Sequence, residues 1–157
     1  MKKYLQKKLN DQKGMTLIEL LAVIVIIAII AAIAIPAIGN VIENSRVGSA
    51  KSDALNTIAA ANLYYADNPT VTGNVKISDL AKGYLEDAAS FKADTAAYVT
   101  PAGLIDGVAT ISGVVLTFDE ANKTAINSLS NNSDKGTVTT AGTTANGIQG
   151  SVTVTNR

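Results

Sequence analysis

The fold is decided by the stretch Lys13-Gly14-Met15-Thr16-Leu17-Ile18-Glu19, because an uncharged apolar run over residues 20–38 follows it directly. Residues 20–35 alone contain two Leu, two Val and seven Ile. On an insertion scale these side chains sum to roughly −3 to −7 kcal/mol, and a helix over the whole run spans about 28 Å, close to the hydrocarbon thickness of a bilayer. We predict a membrane-spanning helix with Glu19 at its edge, and the alternative is a buried core helix.

The charges are distributed unevenly along the chain. Of 13 basic and 13 acidic residues, five lysines and one aspartate fall in the first 14 positions, so the remainder carries 8 basic and 12 acidic groups. The positive-inside bias predicts that the lysine-rich end stays in the cytoplasm and that the residues after the apolar run lie outside. A general secretory signal also begins this way, and Ala32 with Ala34, or Ala37 with Gly39, would supply its small-residue cleavage site.

The segment KGMTLIEL, residues 13–20, resembles the processing site of type IV pilins and their pseudopilin relatives. In that family a prepilin peptidase cuts after the glycine, methylates the new N-terminus and leaves the apolar helix on the mature protein. The resemblance implies that Gly14 ends the leader, that Met15 is the mature N-terminus and that Glu19 is the acidic residue of the family pattern. Pro36 matches a proline that many members carry in this helix.

Cleavage after Gly14 would create an α-amine on Met15, near Glu19 in sequence. Because a carboxylate at the hydrocarbon boundary is costly unless an opposite charge lies close by, we hypothesise that Glu19 pairs with the Met15 amine of an adjacent subunit during assembly. The alternative is a carboxylate that reaches the interface by itself. The apolar helix from Leu17 onward would then pack against copies of itself, and Pro36 marks either a kink or an ordinary membrane-helix proline.

Beyond residue 40 the hydrophobic pattern becomes one-sided. Polar residues such as Arg46 and Lys51 occupy the other faces, and proline at position 69 should end the helix at Asp67-Asn68-Pro69. Apolar residues recur at intervals of three or four, which predicts an amphipathic continuation of the same helix. Its apolar residues are Val47, Ala50, Ala54, Ile58, Ala61 and Tyr65.

The remaining residues predict a small head made mainly of strands. A short helix is expected after a cap at Ser78 or Asp79, ending at Gly83. Asn122-Lys123-Thr124 and Asn131-Asn132-Ser133 are interpreted as turns rather than glycosylation sites. Alternation and turn signals, including a hairpin turn at Asn146-Gly147, predict four strands, at residues 96–100, 108–118, 137–145 and 148–155.

We therefore predict an α+β fold in which a long N-terminal α-helix packs against a small antiparallel β-sheet head. The expected organisation is a cleaved basic leader at 1–14, a transmembrane or filament-core helix at 15–40, its amphipathic continuation at 41–67 and the globular head at 68–157.

The composition argues against catalysis. Neither His nor Cys occurs, which removes the commonest bases, thiol nucleophiles and transition-metal ligands, so we predict neither an enzyme nor a cofactor. Asp106 with Asp119 and Glu120 could offer oxygen ligands to calcium, but the EF-hand spacing is absent and no metal site is predicted. The lysines after the leader are scattered, so nucleic-acid binding is not predicted. Without cysteine, strand pairing is the expected means of holding the C-terminal hairpin.

The resemblance implies a structural subunit, the major pilin of a type IV pilus. Such a chain is a single-pass cytoplasmic membrane protein before assembly, processed by prepilin peptidase and polymerised by a machinery with an ATPase and a membrane platform. The product would be an extracellular homo-oligomeric filament for adhesion, motility or aggregation. Two alternatives are a pseudopilin of a type II secretion or competence apparatus, and a membrane-tethered external binding domain that does not polymerise.

Overall fold

The computed structural model describes the backbone of residues 2–132, 138–140 and 150–156, and the side chains of residues 17–88, 90–132 and 150–155. The chain divides into two compact units, Met1–Val41 and Ile42–Arg157. Helix α1, Lys2–Asp67, forms the first unit and supplies the N-terminal element of the second.

Helix α1 continues through Pro36 and ends where the sequence predicts. The amide of Asn68 still donates to the carbonyl of Tyr64 at 3.0 Å, but Pro69 has no N–H to extend the pattern. Five of the six residues predicted to face the core are fully buried, and the sixth, Tyr65, is half-buried. The fully buried residues are Val47, Ala50, Ala54, Ile58 and Ala61.

The head contains one antiparallel sheet packed on the second half of α1. Its strands run in the order β1-β2-β3-β4-β6-β5, and buried residues alternate along β3 and β4. These residues form a single core cluster with the buried face of α1, which confirms the predicted α+β fold. The strands are β1 (Val75–Lys76), β2 (Tyr98–Val99), β3 (Ile105–Ile111), β4 (Val114–Ala121), β5 (Val138–Thr140) and β6 (Ser151–Asn156).

The strand predicted over residues 108–118 is wrong as a single element. Ser112 and Gly113 both have positive φ, at 45° and 96°, and Ile111 pairs with Val114 across them. This is a two-residue hairpin turn whose twist suits the flanking strands, so the segment folds back as β3 and β4.

Two short helices also differ from expectation. Helix α2, Ile77–Leu80, is shorter than predicted, and its N-cap is Lys76, without a side-chain hydrogen bond. No cap from Ser78 or Asp79 is needed for the first amide, because Ile77 N donates to Ala97 O at 3.0 Å.

Helix α3, Lys123–Ser128, was not predicted. The side chain of Asn122, interpreted as part of a turn, caps it by accepting from Ala125 N at 2.8 Å. Ala125 and Ile126 are both buried in the core. A single turn of 3-10 helix at Ala89–Phe91 positions the ring of Phe91, whose centroid lies 5.6 Å from that of Phe118.

The C-terminal strand lies inside the sheet, between β4 and β5. Antiparallel pairing of β5 with β6 agrees with the predicted hairpin, but Thr140 lies opposite Ser151, whereas a two-residue turn at Asn146-Gly147 would place it opposite Thr153. The predicted register is therefore wrong, and the turn itself lies outside the described residues. Val152 and Val154 of β6 are fully buried, so strand pairing holds this described part of the C-terminal region.

We expect Gly107→Ala to destabilise the head by about 1–3 kcal/mol through overpacking. A Cβ at Gly107 would lie 2.5 Å from the Cβ of Ala97, and its φ of 144° is strained for any residue with a side chain. Urea denaturation of the full chain in detergent micelles, followed by circular dichroism, measures the change. Gly73→Ala is the matched control, since nothing lies within 4 Å of its Cβ position. Equal stability of the two variants would contradict the packing argument.

Candidate functional site

The apolar side chains of the first unit are not covered by the described part of the chain. From Leu17 to Ile38 the exposed fraction of the large apolar side chains runs from 48% at Val25 to 72% at Ile33. Fourteen of the 22 positions from Leu17 to Ile38 carry such side chains, so they surround this stretch of α1 on all sides. A helix that is apolar all round is stable only in lipid or among other helices.

The described residues contain one helix, Leu17–Asp67, with a stretch long and apolar enough to cross a membrane, and it lies near the N-terminus. The core helix of a soluble protein passes the same test of length and composition, but such a helix is mostly buried, whereas this stretch is 0% buried. A signal sequence passes the test as well. The apolar stretch alone therefore establishes a membrane-compatible helix and not the kind of protein.

The residues predicted to act in processing and assembly all lie on α1. Leu17, Glu19 and Pro36 are exposed, while only the backbone of Gly14 and Met15 is described. Since residues four apart share a face of a helix, positions 15 and 19 lie on the same face of α1. Positions 15 and 19 thus lie about one helical turn apart at the start of the apolar stretch.

The carboxylates considered for calcium lie close together on β3 and β4. Burial raises the pKa of the Asp106 carboxyl above its ordinary value, and the charges of Asp119, Glu120 and Asp94 raise it further, against a hydrogen bond from the Glu120 backbone. Asp94 is already used locally, since its carboxylate accepts from Val108 N at 2.8 Å. Within the described ranges, no group of three or more His, Cys, Asp or Glu side chains is arranged to hold a metal ion.

Two cationic side chains of α1, which the sequence pattern placed on solvent-facing sides of the helix, instead form hydrogen bonds with the head. Arg46 donates to the carbonyl of Ser112 at 3.0 Å, which holds the β3–β4 turn against the helix. Lys51 donates to the carbonyl of Leu129 and, at 3.2 Å, to the Asn131 side chain, just beyond the end of α3. Burial lowers the pKa of Lys51. Nothing in the sequence indicated these contacts, because each joins residues more than sixty positions apart.

Tyr65 makes a third long-range connection that the sequence pattern missed. Its hydroxyl donates to the carbonyl of Val99 at 2.8 Å and accepts from the amide of Val75 at 3.0 Å. The hydroxyl therefore ties the last turn of α1 to β1 and β2. The helical spacing predicted only that Tyr65 lies on the apolar face of α1.

Comparison with known families identifies the N-terminal segment. Residues 9–35 match the family model of the prokaryotic N-terminal methylation motif, which is the type IV pilin/prepilin signature. No curated protein sequence and no solved structure gives a match to this chain.

This motif and the apolar helix support a type IV pilin-like or pseudopilin protein. The motif implies processing by prepilin peptidase and assembly into a filament, and the helix fits a membrane-anchored precursor. Proteins of this class are structural rather than enzymatic. The resemblance on KGMTLIEL is therefore confirmed at the level of the class.

We expect Asp106→Asn to stabilise the head at about pH 7.5 by less than about 1 kcal/mol, because the site is partly exposed to solvent. A raised pKa means that the folded state binds the Asp106 proton more tightly than the unfolded state. The wild type therefore gains stability as the pH falls through the folded pKa toward the ordinary value, and the variant lacks that gain. Urea denaturation at several pH values measures it, with Asp67→Asn as control. A variant less stable than wild type at neutral pH would contradict the repulsion.

Proposed function

We propose that this chain is the precursor of the major pilin of a type IV pilus. One observation supports the proposal above all: the prepilin signature at residues 9–35 covers most of the apolar stretch 17–38 of α1, where the large apolar side chains are about half or more exposed on every side. A filament of many copies gives such a helix the cover that its own chain lacks.

The energetics favour two successive environments for the apolar helix. Before assembly the bilayer solvates it, at about −0.3 to −0.6 kcal/mol for each large aliphatic side chain. After extraction the same side chains would meet water at a cost of about 25 cal/mol for each Å² of apolar surface, unless neighbouring helices cover them. Because lipid and a helix bundle are both apolar, transfer between them yields little free energy, and an assembly ATPase acting at a membrane platform supplies the work.

The residue roles follow the order of the segment. Gly14 ends the leader of residues 1–14, and Met15 becomes the methylated N-terminus of the mature protein. Leu17 begins the apolar packing surface of the stem, residues 15–40. Pro36, which removes one backbone N–H, is where the stem can bend as subunits pack.

Glu19 is proposed to act in assembly through charge. The helix of a neighbour displaced along the filament axis would bring its Met15 amine toward this carboxylate, and in an apolar interior an ion pair offsets much of the cost of burying either charge. Subunits in wrong axial positions would leave the carboxylate unpaired, so the pair would also set the register between copies.

The remaining parts of the proposal concern location and abundance. Residues 41–67 continue the stem, residues 68–157 form the head, and the assembled filament lies outside the cell, where it supports adhesion, motility or aggregation. A pseudopilin of a secretion or competence apparatus carries the same signature. The absence of cysteine from these residues favours the pilin, since competence-type relatives tend to use cysteines.

We expect fibres sheared from cells that express the wild-type chain to be long and abundant, and their N-terminal peptide to begin at N-methylated Met15. Mass spectrometry of the sheared material measures both the cleavage and the methyl group, and membranes from cells without prepilin peptidase give the uncut control. An intact Met1 on assembled protein would contradict the processing. Scarce short fibres would indicate a pseudopilin, and recovery with membranes alone would indicate a tethered binding domain.

We expect Glu19→Leu and Glu19→Ala to insert into the membrane at least as well as wild type, since each removes a charge at the hydrocarbon edge. Filament yield should fall about tenfold or more, because the Met15 amine loses its counter-charge. Glu19→Asp keeps the charge and is the control. Yields are compared by quantifying sheared filaments against total membrane protein; normal filaments from Leu and Ala variants would leave Glu19 as a surface-seeking carboxylate only.

A further inference from the structure

An open groove lies beside the second half of α1, within the head unit. Its volume is about 840 Å³, its floor is formed by Ala59, Ala60 and Leu63, and its wall by Tyr84 and Leu85, with Glu86 beside them. Leu63 is 55% exposed, so the groove presents an apolar side chain to solvent. We name these residues the acidic groove, because Asp53 and Asp87 also line it; the charge of Asp87 is partly balanced by an ion pair with Lys92.

The wall of the acidic groove is held in place before anything binds. The Tyr84 ring packs edge-on against Tyr64, with ring centroids 5.4 Å apart, and the backbone amides of Tyr84 and Leu85 both donate to Leu80 O at 2.9 Å. Asp53 accepts from Ser90 N at 3.2 Å, which fixes the loop that follows the wall. A surface ordered in advance loses little conformational entropy on binding.

An exposed turn lies on the opposite flank of the same helix. Pro101 and Ala102 are exposed, and three hydrogen bonds close the turn: Gly103 N to Thr100 O and Thr100 N to Leu104 O, both at 2.9 Å, and Leu104 N to Thr100 Oγ1 at 3.2 Å. We name residues 101–103 the apolar turn.

One exposed lysine accompanies the apolar turn. Ala102 and Lys123 line the same shallow depression beside α1. The apolar turn therefore presents small apolar side chains next to a cation.

The two surfaces lie at one level of α1 and face opposite ways. Successive residues of a helix turn by about 100°, so Ala60 and Asn62 flank Ala61 on opposite sides. Ala61 is fully buried in the head core, Ala60 lines the acidic groove, and Asn62 lies beside the apolar turn.

We propose that the acidic groove of one subunit receives the apolar turn of a second copy of this chain. The apolar turn would cover Leu63 and Leu85, and Lys123 of that copy would approach Glu86. The groove and the turn are different, complementary surfaces of the same molecule, and such a head-to-tail contact repeats without closing unless its rotation forms a ring. It is thus the type of lateral contact that an open helical filament requires between heads, and it rests on the proposed filament function.

Cysteine crosslinking tests the contact directly, because the chain contains no cysteine. The variant carrying both Leu63→Cys and Ala102→Cys should give, in filaments oxidised before shearing, a ladder of disulfide-linked oligomers at least tenfold stronger than either single variant. The control pair Leu63→Cys with Ser112→Cys should give no ladder, since Ser112 belongs to neither surface. Filaments without a ladder from the first pair, or a ladder from Leu63→Cys alone, would overturn the proposed contact.

Charge reversal supplies a second readout. Glu86→Lys and Lys123→Glu should each lower the yield of sheared filaments several-fold, and their combination should restore it to within about twofold of wild type. Lys76→Glu, an exposed reversal on β1 outside both surfaces, should leave the yield unchanged. Unaffected single variants or an unrestored double variant would overturn the pairing. Absence of filaments from the wild type would instead overturn the filament function, which separates the two failures.

Discussion

The structure depends on one constraint, which is that α1 carries an apolar surface that the described part of its own chain does not cover. Between Leu20 and Ile38 the helix offers no polar face to water, whereas the same helix from residue 42 onward buries one side in the head. Lipid can cover the first part, and other helices can cover it as well. The prepilin signature overlaps this apolar stretch of α1. The sequence motif and the physical constraint therefore point to the same class of protein.

The second half of α1 acts as the scaffold of the head. Its small buried residues, Ala50, Ala54 and Ala61, let the sheet approach closely, while Ile58 and Val47 fill the space between. Three polar side chains of the helix then reach loops and strands that are distant in sequence, and each binds a backbone carbonyl there. In a head with two phenylalanines and no disulfide, these hydrogen bonds position the loops that the core alone does not order.

Sequence reasoning succeeded where one period or one backbone rule decided the outcome. The spacing of three and four residues gave the buried face of α1, and the missing N–H of Pro69 gave its end. It failed where the structure is set by contacts between distant residues. The two-residue strands β1 and β2 exist through pairing with each other and with β3, and the acidic groove exists because residues near positions 60 and 85 meet.

Two of the errors had a local signal that was overlooked. Ser112-Gly113 is a turn dipeptide between two apolar segments, and continuous hydrophobicity on both sides concealed it. Asn122 is a helix-start signal, because the apolar residues Ala125 and Ile126 follow it. A helix of six residues is, however, too short for helical periodicity to be recognised in the sequence. The motif of the assembly segment and its charge pattern could be recognised from the sequence alone. The reason is that a processing site of this class is a linear stretch of residues rather than a folded surface.

The position of β6 has a consequence for the order in which the head matures. Although β6 is the last described strand along the chain, it occupies an internal place between β4 and β5. Until residues 151–156 are available to pair, β4 therefore has an unpaired edge, and that edge stays open to strands of other chains. The topology therefore makes correct folding of the head depend on how quickly the final strand becomes available to β4, and a delay favours aggregation between heads.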